Sequence, residues 1–376
     1  MLITNCNIIY LDKVEKGSVL IENGKIKEIN PSCENGQNII DGKGLYLAPG
    51  FIDVHIHGAG GCDTMDATKE SLNKIARTIV KHGTTSFCPT TMTMPVDAIQ
   101  KAIETIKDAK VNGTDGANVL GAHLEGPFIS ENAIGAQNPN FLQALTIDTY
   151  NKMVGDDRDA VTSITLAPEA PGALEVIKYL HDENVLVSMG HTTATYAQTL
   201  EAIKAGASHV THLFNAMTPF AHREPGVVGA AYDTDITAEV ITDGIHISYP
   251  ALRTTFKVKG TDKCLLVSDA MCACGMADGM YALGGQDVIV ANGAARLRNG
   301  ALAGSVLTID KAIKNLKSNT SLPLNEIVRM ATFNPAVYAK VEDHKGLIKE
   351  GYDADLVLFD EDINIKKVIV CGKEIL

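Results

Sequence analysis

No stretch of the sequence approaches 18 uninterrupted apolar residues, so it holds no candidate membrane span. The opening MLITNCNIIYLDK lacks a basic segment followed by a long apolar run, so no signal peptide is expected and a reduced cytoplasmic setting is the default. Positive charge is in short supply. The 33 Lys and Arg stand against 45 Asp and Glu, a formal net charge of −12, which argues against a nucleic-acid binder with its basic patch or stripe. Anionic small molecules stay open, because a local Arg/His cluster in a cleft outweighs the global field. The eight cysteines (Cys6, Cys33, Cys62, Cys88, Cys264, Cys272, Cys274 and Cys371) follow no secreted-domain spacing. Cys272-Ala-Cys274 is the one close pair, and such a pair is more often two small buried hydrophobes than zinc ligands. What is present is an ordinary globular balance, 45% hydrophobic and 21% charged over 376 residues. That length predicts two units, or one barrel with an attachment.

The two ends share a style. LITNCNIIY, SVLIENGKIKEI and NIIDGKGLYLA carry Asn-Gly and Asp-Gly between alternating apolar residues, which is hairpin chemistry. LVLFD and KKVIVCGKEIL near the C-terminus repeat it. Neither end could bury a core alone, so residues 1–48 and 345–376 are expected to build one small β-sandwich domain together. Between them, eight apolar runs alternate with amphipathic stretches such as KESLNKIARTIVKHG. The runs are Phe51–His57, Thr84–Thr90, Val119–Gly126, Ser163–Glu169, Leu186–His191, His209–Asn215, Thr237–Gly244 and Cys264–Ala270. Eight strand–helix units over residues 49–344 predict an α/β fold, a (β/α)₈ TIM-type barrel.

Catalytic groups of such barrels sit at the C-terminal ends of the strands, and metal-capable residues fall there five times. The first run ends in His55-Ile-His57, whose period of two sends both imidazoles to one face. The third carries Glu125, the fifth ends in His191, the sixth holds His212 and the eighth Asp269. Imidazoles with one carboxylate suit Zn²⁺ or Fe²⁺, with Mn²⁺ tolerated, rather than the oxygen-rich sites of Ca²⁺ or Mg²⁺. Glu125, His191 and His212 would hold one ion with a coordination position left open. His55 and His57 would hold a second, with Glu125 between them. A bound ion brings the pKa of water to around 7, and Asp269 is placed to act as general base and then acid.

Each of these residues has a plainer reading. A lone strand histidine is more often core or surface, which is how His82, His181, His209, His222 and His344 are read. His123 and Glu169 read as structural, and Asp269 has a rival reading as a helix N-cap in Ser-Asp-Ala-Met. The joint placement at five strand ends, not any single residue, carries the metal site.

These residues lie in segments that resemble a known family: APGFIDVHIHG, HLEGPF, GAQNP, GHTTA, THLFNAM, REPGVVGAA, DGIHIS, SDAM and LAGS. Across essentially the whole chain the sequence is similar to the N-acetylglucosamine-6-phosphate deacetylase family of amidohydrolases. The resemblance implies hydrolysis of the acetyl group of that sugar phosphate, in amino-sugar catabolism and cell-wall sugar recycling. Its metal ligands carry over to Glu125, His191 and His212 and its catalytic aspartate to Asp269, while His55 and His57 resemble the two-ion type. Substrate contacts carry over to Ala136, Asn215, Ala216, Arg223, Asp243, Gly244, Ile245, His246, Leu302, Ala303 and Gly304. His246 would polarise the acetyl carbonyl or grip a sugar hydroxyl. The resemblance also implies a homodimer in which Arg223 reaches the phosphate in the neighbouring site, a task its planar fork suits. Many members have His where this chain has Gln137, so that substrate contact is neutral here. Three alternatives stay open: an N-acetylgalactosamine 6-phosphate substrate, an amidohydrolase acting on a cyclic amide or nucleobase, and a non-catalytic metal-binding barrel. The carbamylated-lysine type needs a lysine at the fourth run, and SITLAPE has none.

Overall fold

The computed structural model describes residues 1–32 and 38–376; Cys33 lies outside the described residues. Each expected run supplies one parallel strand. They are β1 (Phe51–Ile56), β2 (Thr84–Thr91), β3 (Ala122–Glu125), β4 (Val161–Leu166), β5 (Leu186–Met189), β6 (His209–Val210), β7 (Thr237–Val240) and β8 (Cys264–Leu266). They hydrogen-bond in that order. The barrel closes where Asp269 N–H donates to His55 O and His57 N–H donates to Ala270 O, each at 2.9 Å. Closure therefore sets the aspartate of the last strand beside the histidines of the first. Every residue of β1 and β2 is buried, because one face meets the barrel interior and the other meets helices, and this is why these strands read as near-continuous apolar runs.

A helix follows every strand: α1 (Lys69–Ile79), α2 (Val96–Asn112), α3 (Ile147–Val154), α4 (Ala173–Asp182), α5 (Tyr196–Ala205), α6 (Gly226–Asp233), α7 (Tyr249–Lys259) and α8 (Ile309–Asn319). Their start points follow from local chemistry. Thr68 accepts from Ser71 N–H ahead of α1, and Thr195 with Gln198 forms a reciprocal capping box ahead of α5. No helix among the described residues is long and apolar enough to cross a membrane.

The termini meet in one eight-stranded sheet. Leu356–Phe359 pairs antiparallel with Tyr46–Pro49, which in turn lies parallel to Leu2–Ile9. Asn23-Gly24, at φ 52° and 78°, turns Val14–Glu22 back onto Lys25–Ile29, the Asn-Gly hairpin read in the sequence. Ile3, Ile8, Val19, Ile26, Leu47, Leu356, Leu358 and Ile369 form the core of this unit.

One element was not expected. Between β8 and α8 the chain folds into a three-stranded antiparallel sheet, Gly279–Leu283, Gln286–Ala291 and Ala294–Leu297. Leu283, Val288, Val290, Ala295 and Leu297 pack with Met92, Ala136 and Met271 into a separate small core. Gln286 Nε2 donates to Ala136 O at 2.6 Å, joining this sheet to the loop after β3.

Candidate active site

Glu125 ends β3 at the barrel mouth, 2% exposed. Four imidazoles converge on its carboxylate. His212 Nε2 lies 3.0 Å and His191 Nε2 3.3 Å from Oε1, and the two ring nitrogens are 3.1 Å apart. His55 Nε2 stands 3.4 Å from Oε1 and His57 Nε2 3.2 Å from Oε2. Asp269 closes the group, with Oδ1 at 3.5 Å from His55 Nε2 and 3.3 Å from His57 Nε2. The ligand atoms thus form two triads sharing Glu125, one with His55 and His57 and one with His191 and His212.

The orientation of these rings is set from behind. His57 Nδ1 faces Thr90 O at 3.3 Å, His191 Nδ1 faces Ala133 O at 3.0 Å, and His212 Nδ1 faces Asn215 O at 3.1 Å. His55 Nδ1 instead faces a carboxylate, Glu239 Oε2, at 2.9 Å. A carbonyl or carboxylate can only accept, so each Nδ1 carries the hydrogen and each Nε2 turns a lone pair toward the centre. That is the outer-shell arrangement of metal-ligating histidines. The sequence reading missed Glu239, since an isolated acidic residue in Thr-Ala-Glu-Val carries no signal of its own.

Backbone strain marks the same places. His191, His212, Ala216 and Asp269 all have left-handed φ values, at 47°, 29°, 50° and 47°. Each such non-glycine residue costs about 1–3 kcal/mol. Gly304, also left-handed at φ 58°, has its absent Cβ only 3.0 Å from Asp269 O, so any side chain there would press on the aspartate's backbone.

The cavity above this cluster has a volume of about 300 Å³. It is lined by His57, Glu125, His191, His212 and Asp269 together with Ala136, Gln137, Asn215, Ala216, His246, Leu302 and Gly304. Gly135, Met92, Leu283 and Ala301, none of them among the site residues read from the sequence, complete the wall. Gln137 spans two partners: Nε2 donates to Glu125 Oε2 at 2.6 Å and Oε1 accepts from Thr93 N–H at 2.7 Å. Asp243 stands behind His246 rather than in the cavity wall, accepting from its Nδ1 at 2.7 Å. Burial raises the Asp243 pKa, but the His246 hydrogen bond and charge more than reverse this. Nε2 is then the His246 nitrogen left for a ligand. Ala303 is fully buried, Ile245 is 38% exposed, and Gly244 and Arg223 also lie off the cavity wall, with Arg223 on the exposed surface. No lysine or arginine among the described residues lines the cavity.

Residues read as structural have structural partners. His123 bonds Thr165 Oγ1 at 2.8 Å inside the barrel, and burial, aided by the charge of His55, pushes its pKa down to about 3. Glu169 accepts from Thr193 N–H at 2.6 Å. Cys272 and Cys274 donate to different carbonyls, Ala282 O and Leu307 O, and form no common site.

Known proteins share this sequence pattern and fold. Residues 46–375 match the model of the amidohydrolase family. The chain is 41% identical to an N-acetylglucosamine-6-phosphate deacetylase of Lysinibacillus sphaericus, over 96% of this chain and 93% of that one. It is 36% identical to an N-acetylgalactosamine-6-phosphate deacetylase of Escherichia coli O157:H7, over 87% of each. Among solved structures it superposes with TM-score 0.93 on a mutant N-acetyl-D-glucosamine-6-phosphate deacetylase of Mycobacterium smegmatis in complex with N-acetyl-D-glucosamine-6-phosphate. That match has 30% identity and covers 100% of this chain and 99% of that one. The chain belongs to the amidohydrolase family of metal-dependent hydrolases, on the branch that holds the N-acetylglucosamine-6-phosphate deacetylases.

Proposed function

We propose that the protein hydrolyses the acetamide of N-acetylglucosamine 6-phosphate to acetate and glucosamine 6-phosphate, using one divalent ion on Glu125, His191 and His212 and a second on His55 and His57. The observation that carries this reading is the convergence of four imidazole Nε2 atoms and one carboxylate on a buried point, with Asp269 beside it. His55 Nε2 is buried without a hydrogen-bond partner, an arrangement that is costly unless something takes the lone pair. Nitrogen donors with a single carboxylate fit Zn²⁺ or Fe²⁺, with Mn²⁺ tolerated. Such an ion, when bound, supplies Lewis acidity to water and to the acetyl carbonyl.

The remaining steps belong to the chain's own groups. Asp269 takes a proton from the attacking water and returns it to the departing amine. Its carboxylate, with Oδ1 3.3 Å from His57 Nε2 at the edge of the cluster, is placed for the first task. His246, braced by Asp243, offers Nε2 to the acetyl oxygen or a sugar hydroxyl. Ala136, Gln137, Asn215, Ala216 and the Leu302–Gly304 segment hold the sugar, with Asp243, Gly244 and Ile245 shaping the His246 loop. The cavity's lack of cations supports a homodimer in which Arg223 of a second copy meets the phosphate. We assign residues 49–344 to the catalytic domain and residues 1–48 and 345–376 to the small β domain. A cytoplasmic location fits the seven free cysteines among the described residues.

The galacto epimer is the second reading, favoured by the 36% identity to the Escherichia coli O157:H7 enzyme. Acetate release from the two 6-phosphates and from unphosphorylated N-acetylglucosamine separates the cases. N-acetylglucosamine 6-phosphate should give the highest kcat/KM. A higher value for the galacto epimer would reassign the substrate, and no release from any of them would end the proposal.

A further inference from the structure

Glu239 lies one layer below the cavity, fully buried on β7 and absent from the cavity wall. One oxygen, Oε2, accepts from His55 Nδ1 at 2.9 Å and from the backbone N–H of His212, also at 2.9 Å. The other, Oε1, stands 3.4 Å from His209 Nε2. Its backbone carbonyl accepts from Leu213 N–H at 3.0 Å, so the loop that carries His212 is pinned to this residue twice. A single carboxylate thus bridges a histidine of the first strand and a histidine after the sixth.

The other three imidazoles of the cluster are steadied by main-chain carbonyls, those of Thr90, Ala133 and Asn215. His55 is steadied by a side chain. Among these rings it is therefore the one whose tautomer and aim a substitution outside the cavity can release. We infer that Glu239 is a positioning residue, which makes His55 a ligand of the second ion and ties that half of the site to His212. Accepting from Nδ1–H keeps the His55 lone pair on Nε2, aimed at the gap 3.4 Å from Glu125 Oε1 and 3.5 Å from Asp269 Oδ1. A carboxylate in that position also makes the imidazole a better donor to a metal. This rests on the two-ion reading proposed above.

The test is Co²⁺ titration of the full-length, chelator-stripped protein, followed by the visible spectrum and by elemental analysis. The unaltered protein should take up two equivalents per chain. Glu239→Gln should keep the first equivalent and its spectrum, because Asn215 O still holds the His212 ring. Its second equivalent should bind roughly 10- to 100-fold more weakly. His55→Ala should show the same selective loss, and adding Glu239→Gln to it should change Co²⁺ uptake no further. Should Glu239→Gln prove insoluble, Glu239→Asp, one methylene short of His55, is read the same way. Two equivalents of unchanged affinity in the Glu239 variant would overturn the inference alone, as would equal weakening of both. Uptake of a single equivalent by the unaltered protein would overturn the two-ion reading and this inference with it.

Discussion

His55, His57, His191 and His212 differ in neighbours but share one geometry: Nδ1 occupied from behind and Nε2 facing Glu125. This arrangement separates the proposed ligands from Asp269, which stands beside the imidazoles as the proposed proton carrier. Asp269→Asn keeps the shape and removes the basicity. We expect it to fold and bind metal as the unaltered protein does, while kcat falls on the order of 10²- to 10⁴-fold. Elemental analysis beside single-turnover kinetics checks this. A kcat within a few-fold of normal would remove Asp269 from proton transfer. At this scale H-x-H and HLEGP, on parity at strand tips, pointed to His57 and Glu125 in the cavity wall, while Met92, Leu283 and Ala301 carried no such signal. The sequence did not disclose what aims the imidazoles. Ala133 O, Thr90 O and Asn215 O are main-chain atoms that any side chain could accompany, and Glu239 contacts its partners only after β1, β6 and β7 come together.

Among the elements, all eight barrel strands were legible from their apolar runs. The sheet of Gly279–Leu283, Gln286–Ala291 and Ala294–Leu297 was not, although its signals are present. Gly284-Gly285 and Asn292-Gly293 sit at left-handed φ values between alternating residues, as hairpins require. The β/α rhythm stops at residue 270, and its alternation of strand and helix gives no cue to an antiparallel insertion. Where the two termini meet, Lys345 is 7% exposed and pairs with Asp355 at 2.6 Å and Asp353 at 2.8 Å, while Lys25 pairs with Asp353 from the N-terminal strands. Burial opposes the Lys345 charge, but the two aspartates outweigh it and hold its pKa above the lysine range. Burial likewise raises Asp353, and Lys25 and Lys345 more than reverse it, holding its carboxyl below the ordinary 3.8. The stabilisation from Asp353 is therefore complete above its ordinary value and lost as pH falls through the lowered one. That from Lys345 is complete below its ordinary value and lost only at strongly alkaline pH. Lys345→Met leaves the buried Asp355 without its cation and Asp353 with Lys25 alone. It should destabilise the metal-loaded protein by about 3–5 kcal/mol at neutral pH, with the deficit shrinking in acid as Asp353 protonates. Urea unfolding at neutral and acidic pH reads this, and equal stability of the two proteins at neutral pH would contradict it.

For the whole molecule, a cavity lined by no lysine or arginine among the described residues and an exposed Arg223 are what the proposed dimer would bring together. Arg223→Ala and Asp269→Asn should each be nearly inactive alone on N-acetylglucosamine 6-phosphate. In a mixed dimer one of the two sites pairs an intact Asp269 with an intact Arg223 from its neighbour. Activity should therefore reappear when the two variants are unfolded together and refolded. No recovery, from protein shown to be dimeric, would place Arg223 outside the site. Acetate release from N-acetylglucosamine 6-phosphate by chelator-stripped protein, followed as Zn²⁺ is added back, tests the central claim most directly. Turnover should be absent at the start and rise in proportion to zinc up to one or two equivalents per chain. Full turnover by stripped protein, or none at any zinc level, would contradict a metal-dependent hydrolase built on Glu125, His191 and His212.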